Sequence, residues 1–214
     1  MLRELHYIAI EGPIGVGKTS LARALADRLG ARLILEPSQD NPFLEKFYAD
    51  MPRYALATQF AFLVSRYQQQ TDLRQPDLFA PMAVSDYLFD KDKIFAGLTL
   101  RDDELNLYNQ FHAALAAQAA RPDVVVLLQA DVDTLMERIH RRAIPHEAAL
   151  SRDYIARLVS AYDEYFRLYS GAPVLVVETS SVDYATGGID VAELIAEIEE
   201  MESERRLYIP GKAR

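Results

Sequence analysis

Gly12-Pro13-Ile14-Gly15-Val16-Gly17-Lys18-Thr19 fits the pattern G-x-x-x-x-G-K-[ST]. It follows Tyr7–Ile10, a short apolar run of strand formers, and precedes Ser20–Leu29, where Leu21, Leu25 and Leu29 recur at helical spacing. Strand, glycine loop and helix in that order form a cradle for phosphate. Gly12, Gly15, Val16 and Gly17 turn the backbone N–H groups and the helix N-terminus toward an anion. Lys18 adds a point charge for the terminal phosphates, and the Thr19 hydroxyl suits Mg²⁺. A nucleoside triphosphate is the expected ligand.

A strand that feeds such a loop belongs to an alternating α/β chain, and the remaining sequence has that rhythm. Leu33–Leu35, Ala83–Ser85, Val124–Leu128 and Val174–Val177 are four further apolar runs. Between and after them, helical spacing covers Pro42–Met51, Tyr54–Leu73, Lys91–Leu98, Asp102–Ala120, Asp131–Arg142, Arg152–Tyr169 and Asp190–Arg205. These predict an α/β fold with a five-stranded parallel sheet and helices on both faces, joined by right-handed crossovers. With no Pro/Gly/Ser linker or repeat, residues 1–214 are expected to form a single domain. The tail, residues 205–214, is basic and holds Pro210 and Gly211, so it is expected to fray. The acidic run from Glu193 to Glu204 is expected on the solvated face of the last helix.

Composition narrows the function. Lys plus Arg number 23 against 32 Asp plus Glu, a formal charge of −9, which disfavours nucleic acid as a partner. The chain has no cysteine, removing disulfides, thiolate zinc sites and cysteine nucleophiles. Runs such as Val124–Leu128 fall far short of the roughly 20 apolar residues that span a membrane. The first ten residues carry Arg3, Glu4 and His6 and lack a secretion signal's apolar stretch. A soluble cytoplasmic protein is expected.

In a doubly wound sheet, ligands bind beyond the carboxyl ends of the strands, so the residues after each strand matter most. The spacing D-x-x-G of a GTPase switch occurs only at Asp27–Gly30, inside the first helix. Glu36-Pro37 ends the second strand, where a carboxylate can face the phosphate loop and accept a proton, or simply charge the start of the next helix. Asp86 follows the third strand, where a carboxylate can orient Mg²⁺ with Thr19. After the fourth strand, Arg138, Arg141 and Arg142 close a helix ahead of Ile144-Pro145, forming a short basic lid over about residues 138–150. For Arg141, complementing the helix dipole is the preferred role.

These residues, taken together, resemble the deoxynucleoside kinases of the bacterial deoxyadenosine/deoxyguanosine type along nearly the whole chain, which implies a P-loop kinase fold with a short lid. The loop from Glu11 to Thr19 and Glu36-Pro37 are similar to that family's phosphate loop and catalytic base. The resemblance further implies that Tyr48 touches the sugar 3′-hydroxyl and selects deoxyribose, and that Gln59 and Arg66 read the base. Those two lie seven residues apart, on one helix face. It implies that Arg138 and Arg142 grip the phosphates, that Glu147 joins Tyr48 on the sugar, and that Phe95 stacks on the base. Packing in the core is an equal alternative for Phe95; taken alone, Gln59 and Arg66 would read as a plain solvent face and Tyr48 as core packing, and only the phosphate loop and the agreement of the matches raise them. Asp92 could help to read a purine.

Two departures stand out. The family's acidic-Arg-Ser triplet is Asp86-Tyr87-Leu88 here, and Ile144 replaces a lid arginine. Lys91 or Lys93 is expected to supply the missing positive field. The implied activity is ATP- and Mg²⁺-dependent phosphorylation of a purine deoxynucleoside by a homodimer. The rivals are a nucleoside monophosphate kinase of the thymidylate kinase type and a nucleotide-binding sensor without turnover. Glu36 would repel a phosphate already on the acceptor, which disfavours the first.

Overall fold

A computed structural model describes residues 5–73, 82–182 and 190–211. Within them, six strands, β1 (Tyr7–Glu11), β2 (Arg32–Ile34), β3 (Ala83–Ser85), β4 (Val124–Gln129), β5 (Val174–Glu178) and β6 (Arg205–Tyr208), make one parallel sheet in the order β2-β3-β1-β4-β5-β6. Among the described residues, eight α-helices connect them: α1 (Lys18–Leu29), α2 (Leu44–Ala49), α3 (Met51–Leu73), α4 (Lys91–Thr99), α5 (Asp102–Ala116), α6 (Val132–Arg142), α7 (Arg152–Leu168) and α8 (Val191–Glu199).

The central strands read as continuous apolar runs because both faces of the sheet are covered. Ile8, Ile10, Val126, Leu128 and Leu175 pack with Leu21 and Leu25 of α1 in one core. The alternate residues Ala9, Val125, Leu127 and Val176 pack with Leu158, Tyr162 and Phe166 of α7 in the other. A third cluster, built on Phe47, Leu63, Phe89 and Tyr108, joins α2 and α3 to α4 and α5. The path from β3 to β4 crosses β1, so the order of the sheet reverses there, and a crevice opens at the carboxyl end of β1. The phosphate loop leaves β1 at that point.

The structure corrects the sequence reading at three places. The sheet has six strands, because Arg205–Tyr208, expected as frayed tail, pairs in register with Val174–Val177. The two arginines that open β6 have partners: Arg206 forms an ion pair of 2.7 Å with Glu197, and Arg205 donates to the Phe166 carbonyl. Consequently α8 stops at Glu199 so that the chain can turn back into β6, and Glu197 is buried instead of solvated. Thirdly, α5 ends at Ala116, four residues early, and α3 begins at Met51, with Pro52 in the first turn where its missing N–H costs nothing.

Candidate active site

The phosphate loop holds its shape through glycine. Gly15 has φ +86°, and a Cβ there would lie 2.9 Å from Ile139 Cγ1 and 3.0 Å from the Leu135 carbonyl oxygen. The loop therefore packs directly on α6, the helix that carries the lid arginines. Lys18 Nζ donates to the carbonyls of Gly12 (2.7 Å) and Pro13 (3.0 Å). Burial, and next the positive charge of Lys91, lowers the Lys18 ammonium to about 8.

Beneath the loop lies a residue that the sequence reading did not single out for a role. Glu11 is fully buried and accepts from Gly12 N (2.8 Å), Leu88 N (2.7 Å) and the Tyr162 hydroxyl (2.8 Å). One carboxylate thus joins β1, the phosphate loop, the turn after β3, and α7. The available signal was an acid closing an otherwise apolar strand.

Asp86 joins the two sides of the crevice. Its Oδ2 accepts from Thr19 Oγ1 at 2.5 Å, and its Oδ1 accepts from the Glu36 amide at 2.7 Å. A hydroxyl and a carboxylate in contact are oxygen donors of the kind that would suit Mg²⁺.

Glu36 lies just past β2, as predicted, but its carboxylate is engaged on both oxygens. Arg66 Nε donates to Oε1 at 2.8 Å, and Lys91 Nζ donates to Oε2 at 2.8 Å. Burial alone would raise this carboxyl, yet the charges of Arg66 and Lys91 outweigh it and hold the group well below the usual carboxylate range. Arg66 also pairs with Asp92, which is fully buried. Of the two candidate lysines, Lys91 is the buried one in the cluster, whereas Lys93 is 45% exposed and pairs with Asp90 at 3.0 Å. Tyr87, at the position of the missing arginine, is fully buried and accepts from Gln70 Nε2 at 3.3 Å.

A cavity of about 1050 Å³ runs from this cluster to the lid. Gly15, Gly17, Lys18 and Thr19 of the phosphate loop line it, as do Tyr48, Gln59, Phe62, Arg66 and Phe95. Phe95 faces this cavity and also meets Tyr162 edge-on, with ring centroids 6.3 Å apart. Arg142 closes the top, donating to both oxygens of Glu147 at 2.7 and 2.5 Å. Tyr48 stacks on His146 of the lid, with centroids 5.5 Å apart and planes 14° from parallel. Arg138 borders the cavity with its guanidinium turned to backbone, donating to the carbonyls of Thr179 (2.6 Å) and Val182 (2.8 Å). Ile144 lines the lid without charge. Of the predicted residues, Gly15, Gly17, Lys18, Thr19, Glu36, Tyr48, Gln59, Arg66, Asp86, Lys91, Phe95, Arg138, Arg142 and Glu147 line this cavity, whereas Gly12, Val16, Asp92 and Lys93 do not.

A phosphate cradle, a Thr–Asp oxygen pair, an acid held between two cations, and a basic lid around one cavity define a P-loop phosphotransferase. The chain belongs to the deoxynucleoside kinase family, whose family model, "Deoxynucleoside kinase", matches residues 8–202. It is 32% identical to the deoxyguanosine kinase of Bacillus subtilis over 91% of this chain and 97% of that one. It is 28% identical to the deoxyadenosine kinase of Lactobacillus acidophilus, covering 92% and 96%. The fold matches a structure of the M. mycoides deoxyadenosine kinase with products dCMP and a flexible dCDP bound, at TM-score 0.79 and 22% identity over 91% of this chain and all of that one. The same enzyme with dATP bound gives TM-score 0.75 at 24% identity, covering 90% and 96%.

Proposed function

We propose that this kinase transfers the γ-phosphoryl of ATP to the 5′-hydroxyl of a purine deoxynucleoside, giving the 5′-monophosphate and ADP for nucleotide salvage in the cytoplasm. The observation that carries the reading is the single residue of separation between donor and acceptor groups: Asp86 holds Thr19 with one oxygen and the Glu36 amide with the other. A hydroxyl placed at Glu36 is therefore beside the phosphate loop. Purine specificity is supported by relatives that include deoxyguanosine and deoxyadenosine kinases.

In this reading Glu36 accepts the proton of the 5′-hydroxyl. Arg66 and Lys91 keep it ionised and aimed, and a loose transition state needs little basicity because the proton moves late. Gln59, Arg66 and Phe95 form the base wall, and Tyr48 with Glu147 the sugar wall. Lys18, Arg138 and Arg142 neutralise charge on the transferring group. Thr19 and Asp86 would hold Mg²⁺, which would offset negative charge on the phosphates. A homodimer is supported by Val64, Leu107 and Phe111, large apolar side chains on α3 and α5 that are 50%, 44% and 51% exposed. No helix among the described residues is long and apolar enough to cross a membrane.

The test incubates the protein with labelled ATP, Mg²⁺ and panels of deoxynucleosides, ribonucleosides and their monophosphates. Label on deoxynucleosides is expected. Label confined to monophosphates would assign the protein to the thymidylate-kinase type, and no label anywhere would leave a binding sensor. Glu36→Gln, which keeps the shape, is expected to lower kcat at least ~10²-fold. Near-normal turnover would remove Glu36 as proton acceptor.

A further inference from the structure

Gln59 is 2% exposed and sits on the base wall, so the direction of its carboxamide matters. A glutamine amide presents a carbonyl on one side and an NH₂ on the other, and a flip exchanges them. Here a neighbour outside the cavity lining forbids the exchange. Thr99, the last residue of α4, donates its only hydroxyl proton to the Phe95 carbonyl at 2.7 Å. Its oxygen can then meet Gln59 only as an acceptor, and it does so with Nε2 at 3.4 Å. Turned over, the amide would set Oε1 against an oxygen with no proton to give, two acceptors face to face. Gln59 is thereby held with its nitrogen toward Thr99. One N–H and Oε1 remain for the base.

That fixed polarity distinguishes two kinds of purine. A 6-amino purine shows a donor at C6 beside an acceptor at N1, and a 6-oxo purine shows an acceptor at C6 beside a donor at N1. One amide orientation satisfies one pattern and opposes the other at both contacts. Arg66 does not even out the difference, since its guanidinium is engaged with Glu36 and Asp92.

We propose that Thr99 is a positioning residue that locks the polarity of the Gln59 carboxamide and so makes this enzyme choose between 6-amino and 6-oxo purine deoxynucleosides. The proposal rests on the reading that the wall around Gln59 receives the base.

Deoxyadenosine and deoxyinosine differ only in this edge, so the ratio of their kcat/KM values reads the amide directly. The wild type is expected to separate them by about tenfold or more, the scale of mispaired buried hydrogen bonds. Thr99→Val, which keeps the shape and loses the acceptor, is expected to bring the ratio to within about threefold of unity, because the freed amide can flip. Thr99→Ser should retain the wild-type ratio. Thr99→Ala is a second acceptorless variant should valine disturb folding, and general loss of activity lowers both substrates together without moving the ratio. A wild-type ratio near unity, or a ratio unchanged in both acceptorless variants, would overturn the proposal. Absence of phosphorylation of any nucleoside by the wild type would instead overturn the underlying kinase reading, and the inference with it.

Discussion

Lys91 shows how much one side chain decides at this site. It reaches Glu36 at 2.8 Å from the first residue of α4, while Lys93, two positions on, points to Asp90 at the surface. Residues two apart on a helix face nearly opposite ways, so the sequence could name the pair but only the start of α4 decides between them. Lys91→Met is expected to lower kcat/KM at least about tenfold through lost charge near the transferring group, and Lys93→Met to leave it unchanged. Equal effects from the two variants would remove the assignment. The same lysine sets a pH dependence. Lys18 is charged below about 8 and neutral above it, so kcat/KM for ATP should fall as pH rises through that value. In Lys91→Met the break should move up, since one of the causes depressing Lys18 is gone. Glu36, held low by its cations, stays ionised in the native state and contributes stability above the unfolded carboxyl pKa of about 4.3; that contribution is lost only as pH falls through its depressed native value. It should therefore give no acid limb between neutral pH and about 5 in a kcat/KM profile.

Among the elements, the phosphate loop and the lid helix behave as one piece, because Gly15 leaves no room between them. Gly15→Ala combines positive φ with a contact on backbone at Leu135, and is expected to raise KM for ATP about tenfold while the fold persists. An unchanged KM would show that α6 yields freely. The loop was legible in the sequence because its chemistry is local, a strand, a glycine turn and a helix in direct succession. Long helix α3 was legible only in part. Its buried face carries Gln59, Arg66 and Gln70, a polar stripe that reads as solvent-facing until the cavity and its partners Glu36, Asp92 and Thr99 are in place.

For the molecule as a whole, the alternation of buried runs revealed five strands and missed the sixth. Short β6 begins with two arginines whose partners, Glu197 and the Phe166 carbonyl, lie elsewhere in the chain, so nothing local announced it. Tyr208 at its end is 6% exposed in the main core. Tyr208→Ala is expected to cost about 3 kcal/mol, read as a lower denaturation midpoint, whereas a frayed tail would lose nothing. Asp86, finally, constrains how any mutational study of this enzyme is interpreted. Both of its oxygens are committed, one to the Thr19 hydroxyl and one to the Glu36 backbone amide. Replacing it would break both contacts in a single stroke, so a kinetic defect at that position could be credited to ion binding only after the placement of Glu36 had been verified separately.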